Sequence, residues 1–144
     1  MLKGIDPLIG PDLLRALAAM GHGDEIAIVD ANFPAASVAR ESVLGHPLRI
    51  DCDAVRAVRA VLSLLPLDTF EPDPALTMQV VGRPEEIPEV VREAAPLFEA
   101  EGVATAALER FAFYARAKRS FAVLATAETR IYANFILRKG VVFP

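Results

Sequence analysis

Two side chains early in the chain have the type and setting for proton chemistry. His22 sits in Gly21-His22-Gly23-Asp24, between glycines that tolerate positive φ and put nothing bulky beside the ring. The sequence thus offers an accessible imidazole titrating near neutrality. Asp30 closes the β-prone apolar run Glu25-Ile26-Ala27-Ile28-Val29-Asp30, which reads as a buried strand with a carboxylate at its C-terminal tip. Open α/β sheets gather ligands outside the carboxyl ends of their strands, where loops escape the packing demands below them. An accessible histidine therefore precedes an exposed strand-end acid, and the reading requires both to face one cavity. Each has a plainer use: His22 as a polar loop residue, Asp30 as the cap of the turn that follows it.

Further along, Arg110 supplies a rigid fork of donors and Tyr132 a hydroxyl that donates or accepts, while Asn134 can orient a polar ligand. Arg110 equally serves by covering apolar surface with its stem, and Tyr132 and Asn134 as an ordinary aromatic and turn residue before a strand. His46, in Gly45-His46-Pro47, has no adjacent acid or strand end and reads as surface loop. Cys52, the single cysteine, reads as a small buried or half-buried residue. It allows neither an internal disulfide nor a thiolate-rich metal site, which fits a reducing compartment with cytoplasm as the default.

Elements that position these groups follow from periodicity. Pro11 opens a helix carrying Leu13, Leu14, Leu17 and Ala18 at helical spacing, and Gly21 ends it. After the 25–30 strand, Asn32-Phe33-Pro34 is loop, followed by a short helix near Ala36–Glu41 and a short strand at Leu48–Ile50. Asp53 caps a helix with Val55, Val58, Leu62 and Leu65 on one stripe and Arg56, Arg59 and Ser63 on its wet face. A strand is expected over 76–81 and a helix over 85–99, broken or bent near Pro88 and Pro96. Residues 103–108 are compatible with strand or helix start; 110–120 reads as helix, and 121–126 and 134–137 as the last two strands. Strands alternating with amphipathic helices predict an α/β fold: one domain over residues 1–144, a three-layer sandwich with a mostly parallel central sheet covered by helices.

Composition removes several function classes. Of 144 residues, 53% are hydrophobic, enough for a sizeable core or subunit interface. Fifteen basic against nineteen acidic side chains give a net charge of −4 with no long block of either sign, so a nucleic-acid partner is not expected. No apolar run reaches the roughly 18 residues of a membrane span, and the first residues lack a secretory pattern, so neither secretion nor membrane insertion is expected. There is no G-x-G-x-x-G, Walker loop, G-x-S-x-G or H-E-x-x-H, which argues against nucleotide cofactors, serine hydrolysis and zinc proteolysis. Two distant histidines and one cysteine argue against a metal site.

Taken together, Met20-Gly21-His22-Gly23-Asp24-Glu25, Asp30-Ala31-Asn32-Phe33-Pro34-Ala35, Glu109-Arg110-Phe111-Ala112-Phe113-Tyr114 and Tyr132-Ala133-Asn134 resemble the RbsD/FucU family of sugar mutarotases in order and separation. The likeness runs from Leu2-Lys3-Gly4-Ile5 to Lys139-Gly140-Val141, and it is specific as a set rather than motif by motif. The Asp30–Pro34 and Arg110–Tyr114 runs are similar to the L-fucose mutarotase branch rather than the D-ribose pyranases. The resemblance implies that His22 is the proton donor, that Asp30, Arg110, Tyr132 and Asn134 bind a monosaccharide, and that the subunits form a homo-oligomer, often a decamer, with sites between neighbours. Ala127 stands where many relatives have glycine, a departure in the turn that presents Tyr132. Residues 72–102 match loosely, leaving the pocket rim open to difference.

Mutarotation opens a cyclic hemiacetal and recloses it on the other face. It needs a proton delivered to the ring oxygen and another taken from the anomeric hydroxyl, and it calls for no redox cofactor or metal. On this reading His22 acts as the acid, Asp30 holds sugar hydroxyls or orients the imidazole, Arg110 holds hydroxyls, and Tyr132 or water is the partner base. D-ribose pyranase activity, a non-catalytic sugar-binding or regulatory protein, and a structural oligomer subunit stand as alternatives. Faster anomer exchange, binding without exchange, or neither would distinguish them.

Overall fold

The computed structural model covers residues 1–144 and contains five α-helices and six β-strands. Chain order is α1 (Pro11–Ala19), β1 (Glu25–Val29), α2 (Ala35–Ala39), β2 (Leu48–Arg49), α3 (Ala54–Leu62), β3 (Ala75–Met78), α4 (Glu89–Ala100), β4 (Ala106–Leu108), α5 (Arg110–Lys118), β5 (Ala122–Ala125) and β6 (Phe135–Arg138). The strands form one sheet in the order β2-β5-β1-β6-β3-β4. Neighbours pair in parallel except β6, which runs antiparallel to both β1 and β3. Every parallel pairing needs a long crossover, but only residues 126–134 separate β5 from β6. No helix fits in that span to carry the chain back, so β6 must enter from the end at which β5 leaves.

Alternation along the strands builds two cores. Ile26 and Ile28 of β1 join Leu124, Phe135 and Leu137 beneath α1, α3 and α4, with Phe98 of α4 and Phe135 stacked at a 5.9 Å centroid distance. Ala27 and Val29 face the other way with Val123, Ile136 and Met78, beneath α2 and α5 through Val38, Ala39, Phe113 and Ala117. Because β1 is buried on both faces, its sequence is a continuous apolar run rather than an alternating one. The expected helix-covered, mostly parallel sandwich is therefore the observed architecture.

Local chemistry sets the helix starts. Pro11 occupies the first turn of α1, where its missing N–H costs nothing. Asp53 caps α3 by accepting the Arg56 N–H at 2.8 Å, as its sequence position predicts. Glu109 performs the same service for α5, accepting from the N–H groups of Phe111 and Ala112 at 2.8 and 3.1 Å. Arg56 is not on a fully wet face; it is half-buried in an ion pair with Asp6.

Most element ends shift by one or two residues from the sequence reading, and three segments differ more substantially. The 76–81 strand stops at Met78, because Val80 and Arg83 close a tight turn in which Gly82 takes φ +77°. The 85–99 helix begins only after Pro88, since the residue before a proline is pushed out of the helical region. It then continues unbroken through Pro96. Within the ambiguous 103–108 segment only Ala106–Leu108 is strand, forming β4 paired in parallel with β3.

One glycine is fixed by close approach. A Cβ at Gly140 would lie 2.5 Å from the Leu67 carbonyl oxygen and 2.8 Å from the Asp68 Cα, where the chain after β6 presses on the 67–68 segment and donates from Gly140 N to Pro66 O. Gly140→Ala is expected to destabilise the fold by about 1–3 kcal/mol through this overlap, measured as a drop in the urea midpoint at unchanged slope.

Candidate active site

The reversed direction of β6 divides the polar groups between the two ends of the sheet. At the carboxyl end of β1, the first residues leading into β6 meet Asp30; at its amino end, the last residue of β6 meets the loop bearing His22.

At the carboxyl end Asp30 is buried, with 4% of its surface exposed. Asn134 grips it twice: the amide oxygen accepts the Asp30 backbone N–H at 2.9 Å and the amide nitrogen donates to Oδ2 at 3.1 Å. The other oxygen, Oδ1, accepts from Asn32 N at 2.9 Å, the turn-capping bond anticipated for it. Burial pushes the Asp30 carboxyl above the usual carboxylate range, against the pull of these hydrogen bonds. The acid is thus a buried, oriented group rather than the exposed one expected. It borders a cavity of about 740 Å³ walled by Phe33, Pro34, Arg40, Arg49 and Thr126.

Tyr132 and Arg110 stand at the same end. Tyr132 adopts φ +62°, a left-handed conformation costing a bulky side chain about 1–3 kcal/mol. Its hydroxyl oxygen accepts the Val81 N–H at 3.2 Å, which leaves its own O–H free to donate. Arg110 begins α5, stacks over Phe111 at 4.5 Å, and has a buried Nε without a partner in the chain. A cleft of about 320 Å³ runs past Arg110, Gln79 and Val81. Ala127, where a glycine was anticipated, is not among the residues with positive φ, so alanine fits this turn without strain.

A second ion-paired unit lies behind them. Glu128, 3% exposed, accepts from Arg130 through Nε at 2.9 Å, Nη2 at 3.0 Å and the backbone N–H at 2.9 Å. It also accepts from the first N–H of α3, at Ala54, at 3.3 Å. Chiefly the Arg130 guanidinium holds its carboxyl down to about 2.

At the amino end the His22 Nε2 lies 3.0 Å from Oδ1 of Asp68. Asp68 is 1% exposed. It accepts from Phe70 N at 3.0 Å and from Arg138 Nε at 2.9 Å, and Arg138 in turn donates to the carbonyls of Glu71 and Pro72. The Phe70 N–H, followed by His22 and Arg138, holds the Asp68 carboxyl well below the usual range. Since an ionised carboxylate only accepts, the His22 proton sits on Nε2 and the Nδ1 lone pair is free. Half of the imidazole surface is open, 46%, and the ring lies 5.0 Å from Phe70.

His22 and Asp30 therefore do not share a cavity within one chain, so the cavity expected to hold both is not found inside a single subunit. They flank β1 at opposite ends, and five residues of strand alone span roughly 16 Å at about 3.3 Å each. Proximity in sequence is separation in space when the intervening residues are extended. The structure brings Asp30 and Asn134 into direct contact and sets Arg110 and Tyr132 at the same end; it pairs His22 instead with Asp68. The only hint of Asp68 in the sequence is a lone acid inside the apolar stretch Leu64-Leu65-Pro66-Leu67-Asp68-Thr69-Phe70. His46 is exposed, its Nδ1 3.0 Å from Leu44 O, and Cys52 is half-buried, as expected for both.

A six-stranded α/β domain with one reversed strand gathers a carboxyl, an amide, a phenol and a guanidinium at one end and a carboxylate-paired imidazole at the other, side chains with the chemistry to bind a polar ligand and to move a proton. The chain belongs to the RbsD/FucU family, whose model, described as the RbsD / FucU transport protein family, matches residues 3–142. It is 46% identical to the fucose mutarotase of Homo sapiens over 97% of this chain and 94% of that protein. It is 38% identical to the L-fucose mutarotase of Histophilus somni over 98% of this chain and 97% of that protein. Among solved structures, the fucose mutarotase of Streptococcus pneumoniae in complex with L-fucose superposes with a TM-score of 0.85 at 39% identity, covering 99% of this chain and all of that one. No helix is long and apolar enough to cross a membrane.

Asp68 and Glu128 carry folded-state pKa values below their unfolded ones. Such groups stabilise the fold above the unfolded carboxylate pKa of about 4, and that stability drains as pH falls from there towards the folded values. Asp68→Asn is expected to lower stability at pH 7 and to flatten its decline between pH 5 and pH 3, read from urea midpoints at each pH. An unchanged acid limb would mean that Asp68 is not held as a carboxylate.

Proposed function

We propose that the protein is a cofactor-independent isomerase that interconverts the anomers of a pyranose, with L-fucose the preferred sugar. Its site is assembled from the His22 end of one subunit and the Asp30, Arg110, Tyr132 and Asn134 end of the next. The single observation that carries this reading is the partition of the polar groups: a proton carrier with its own orienting carboxylate at one end, and sugar-binding groups at the other. Neither half suffices alone, and both lie at ends that expose apolar side chains. Around His22 these are Phe70, Val142 and Phe143; beside Arg110 and Tyr132 they are Val81, Phe111 and Ile131. Unlike patches that meet head to tail generate rings when the rotation closes. The fucose mutarotase names of the relatives and the L-fucose bound in the Streptococcus pneumoniae structure support the choice of sugar. The lone cysteine fits a cytoplasmic enzyme.

In this arrangement His22, carrying a second proton on Nδ1 while its Nε2–H stays on Asp68, delivers the Nδ1 proton to the ring oxygen as the C1–O5 bond breaks, and the bonding pair goes to that oxygen. The anomeric hydroxyl loses its proton as the C1 carbonyl forms. Rotation about C1–C2 and the same steps in reverse close the ring on the other face, with no net redox change. Asp68 keeps the ring tautomer and stabilises the imidazolium. Arg110 and Asp30 hold the hydroxyls, and Tyr132 exchanges the second proton.

Saturation-transfer NMR of L-fucose, D-ribose and D-galactose is expected to show the largest acceleration with L-fucose. His22→Ala should reduce exchange by about 10²–10⁴-fold and Asp30→Asn should weaken it, both with assembly intact by light scattering. Two variants each impaired but measurable alone, His22→Ala and Tyr132→Phe, should recover roughly a quarter of wild-type exchange when unfolded and refolded together, because random neighbours restore one site in four. No recovery would place each site within a single chain. Sugar binding without faster exchange in the wild type would make the protein a sugar-binding or regulatory one.

A further inference from the structure

We propose that Glu128 and Arg130 are positioning residues for this reaction: a buried ion pair that ties the loops of the carboxyl end into one body and holds Tyr132 in its left-handed conformation. The inference rests on the mutarotase reading for what Tyr132 does, but not for how it is held. Neither side chain hydrogen-bonds Asp30, Arg110, Tyr132 or Asn134, although Arg130 and Tyr132 line one cavity with Val80 and Ile131. Glu128 and Arg130 are instead spent on the scaffold around these groups.

Glu128 is a junction. Its carboxylate joins the 128–130 turn to the start of α3, at Ala54. Its backbone carbonyl accepts the N–H of Ala31, the residue after Asp30, at 2.8 Å. Its backbone N–H donates to Thr126 Oγ1 at 3.2 Å, and that hydroxyl donates to Val29 O, one residue before Asp30. Arg130 extends the junction to α4 by donating from Nη1 to Glu93 at 2.8 Å. Two residues beyond Arg130 the chain takes φ +62° at Tyr132, and two beyond that Asn134 grips Asp30. A bulky residue persists in such a conformation only where its surroundings over-determine it. On the N-terminal side of Tyr132 the determinant is the three-bonded fork between Glu128 and Arg130; on the C-terminal side it is β6. A carboxylate held down to about 2 keeps the junction charged throughout the neutral range.

The two branches respond differently to substitution. Asp30 is tied through the backbone of Glu128, which side-chain changes leave in place; Tyr132 depends on the guanidinium fork. Arg130→Lys keeps the charge but loses the planar, paired geometry, so it should displace the phenol and spare the acid.

The chain has two tyrosines, Tyr114 and Tyr132, so 3-fluorotyrosine labelling gives two ¹⁹F resonances, assigned with Tyr132→Phe. Arg130→Lys is expected to shift or broaden the Tyr132 resonance and leave that of Tyr114 in place. With L-fucose, kcat should fall by about 10- to 100-fold, the cost of a misplacement near 1 Å, with KM changed by less than about threefold. In a Tyr132→Phe background the same substitution should cost nothing further. Glu128→Gln should reproduce these effects if it folds; Arg130→Lys decides the matter if it does not. Undisturbed ¹⁹F signals, or equal losses of activity in both backgrounds, would overturn the proposal. A wild type that does not accelerate exchange would refute the mutarotase reading instead, leaving the ¹⁹F comparison to decide the positioning role.

Discussion

The architecture of the site depends on the direction of one strand. β6 follows β5 too closely for a helical crossover, so it enters the sheet from the carboxyl end and runs against β1 and β3. That reversal carries Asn134 to Asp30 at its start and Arg138 to Asp68 at its finish. A parallel β6 would take Asn134 from Asp30 and Arg138 from Asp68, leaving each buried carboxylate with fewer partners. The two ends of the molecule therefore acquire their chemistry from opposite ends of a single four-residue strand.

The two ends handle buried charge differently. Asp68 meets a guanidinium, an imidazole and a backbone N–H, and so remains ionised despite almost complete burial. Asp30 has only amide donors, and desolvation outweighs them. The first arrangement keeps a negative charge beside the imidazole; in the second, burial raises the carboxyl above its ordinary range while amide donors fix its orientation. Removing one partner from the former exposes an uncompensated buried charge, which is why so small a molecule commits both Arg138 and the Phe70 amide to one acid.

Much of the fold was legible because it rests on local signals. The apolar run of β1, the proline opening α1 and the Asp53 cap each report their own surroundings. Asp30, Arg110, Tyr132 and Asn134 were also selected from the sequence, and the structure gathers them at one end. What was hidden is long-range. Asp68 lies 46 residues from the histidine it faces, and nothing in its neighbourhood reveals the pairing. That His22 and Asp30 stand apart within one chain was not legible, because the strand between them, Glu25–Val29, is extended, whereas eight positions on a helix would mean two turns. The junction at Glu128 was invisible for the same reason: it and Arg130 link their own turn to three distant stretches, at Val29–Ala31, Ala54 and Glu93.

The left-handed backbone at Tyr132 makes that position a point of conflict between durability and use. Asparagine or glycine would relax the turn there, whereas the phenol is a burden that the rest of the molecule must carry. A search for thermally hardened variants would thus be drawn to this residue and would discard the hydroxyl along with the strain. Tolerance of a costly side chain, more than any tally of contacts, marks where the domain has been shaped for work rather than for endurance.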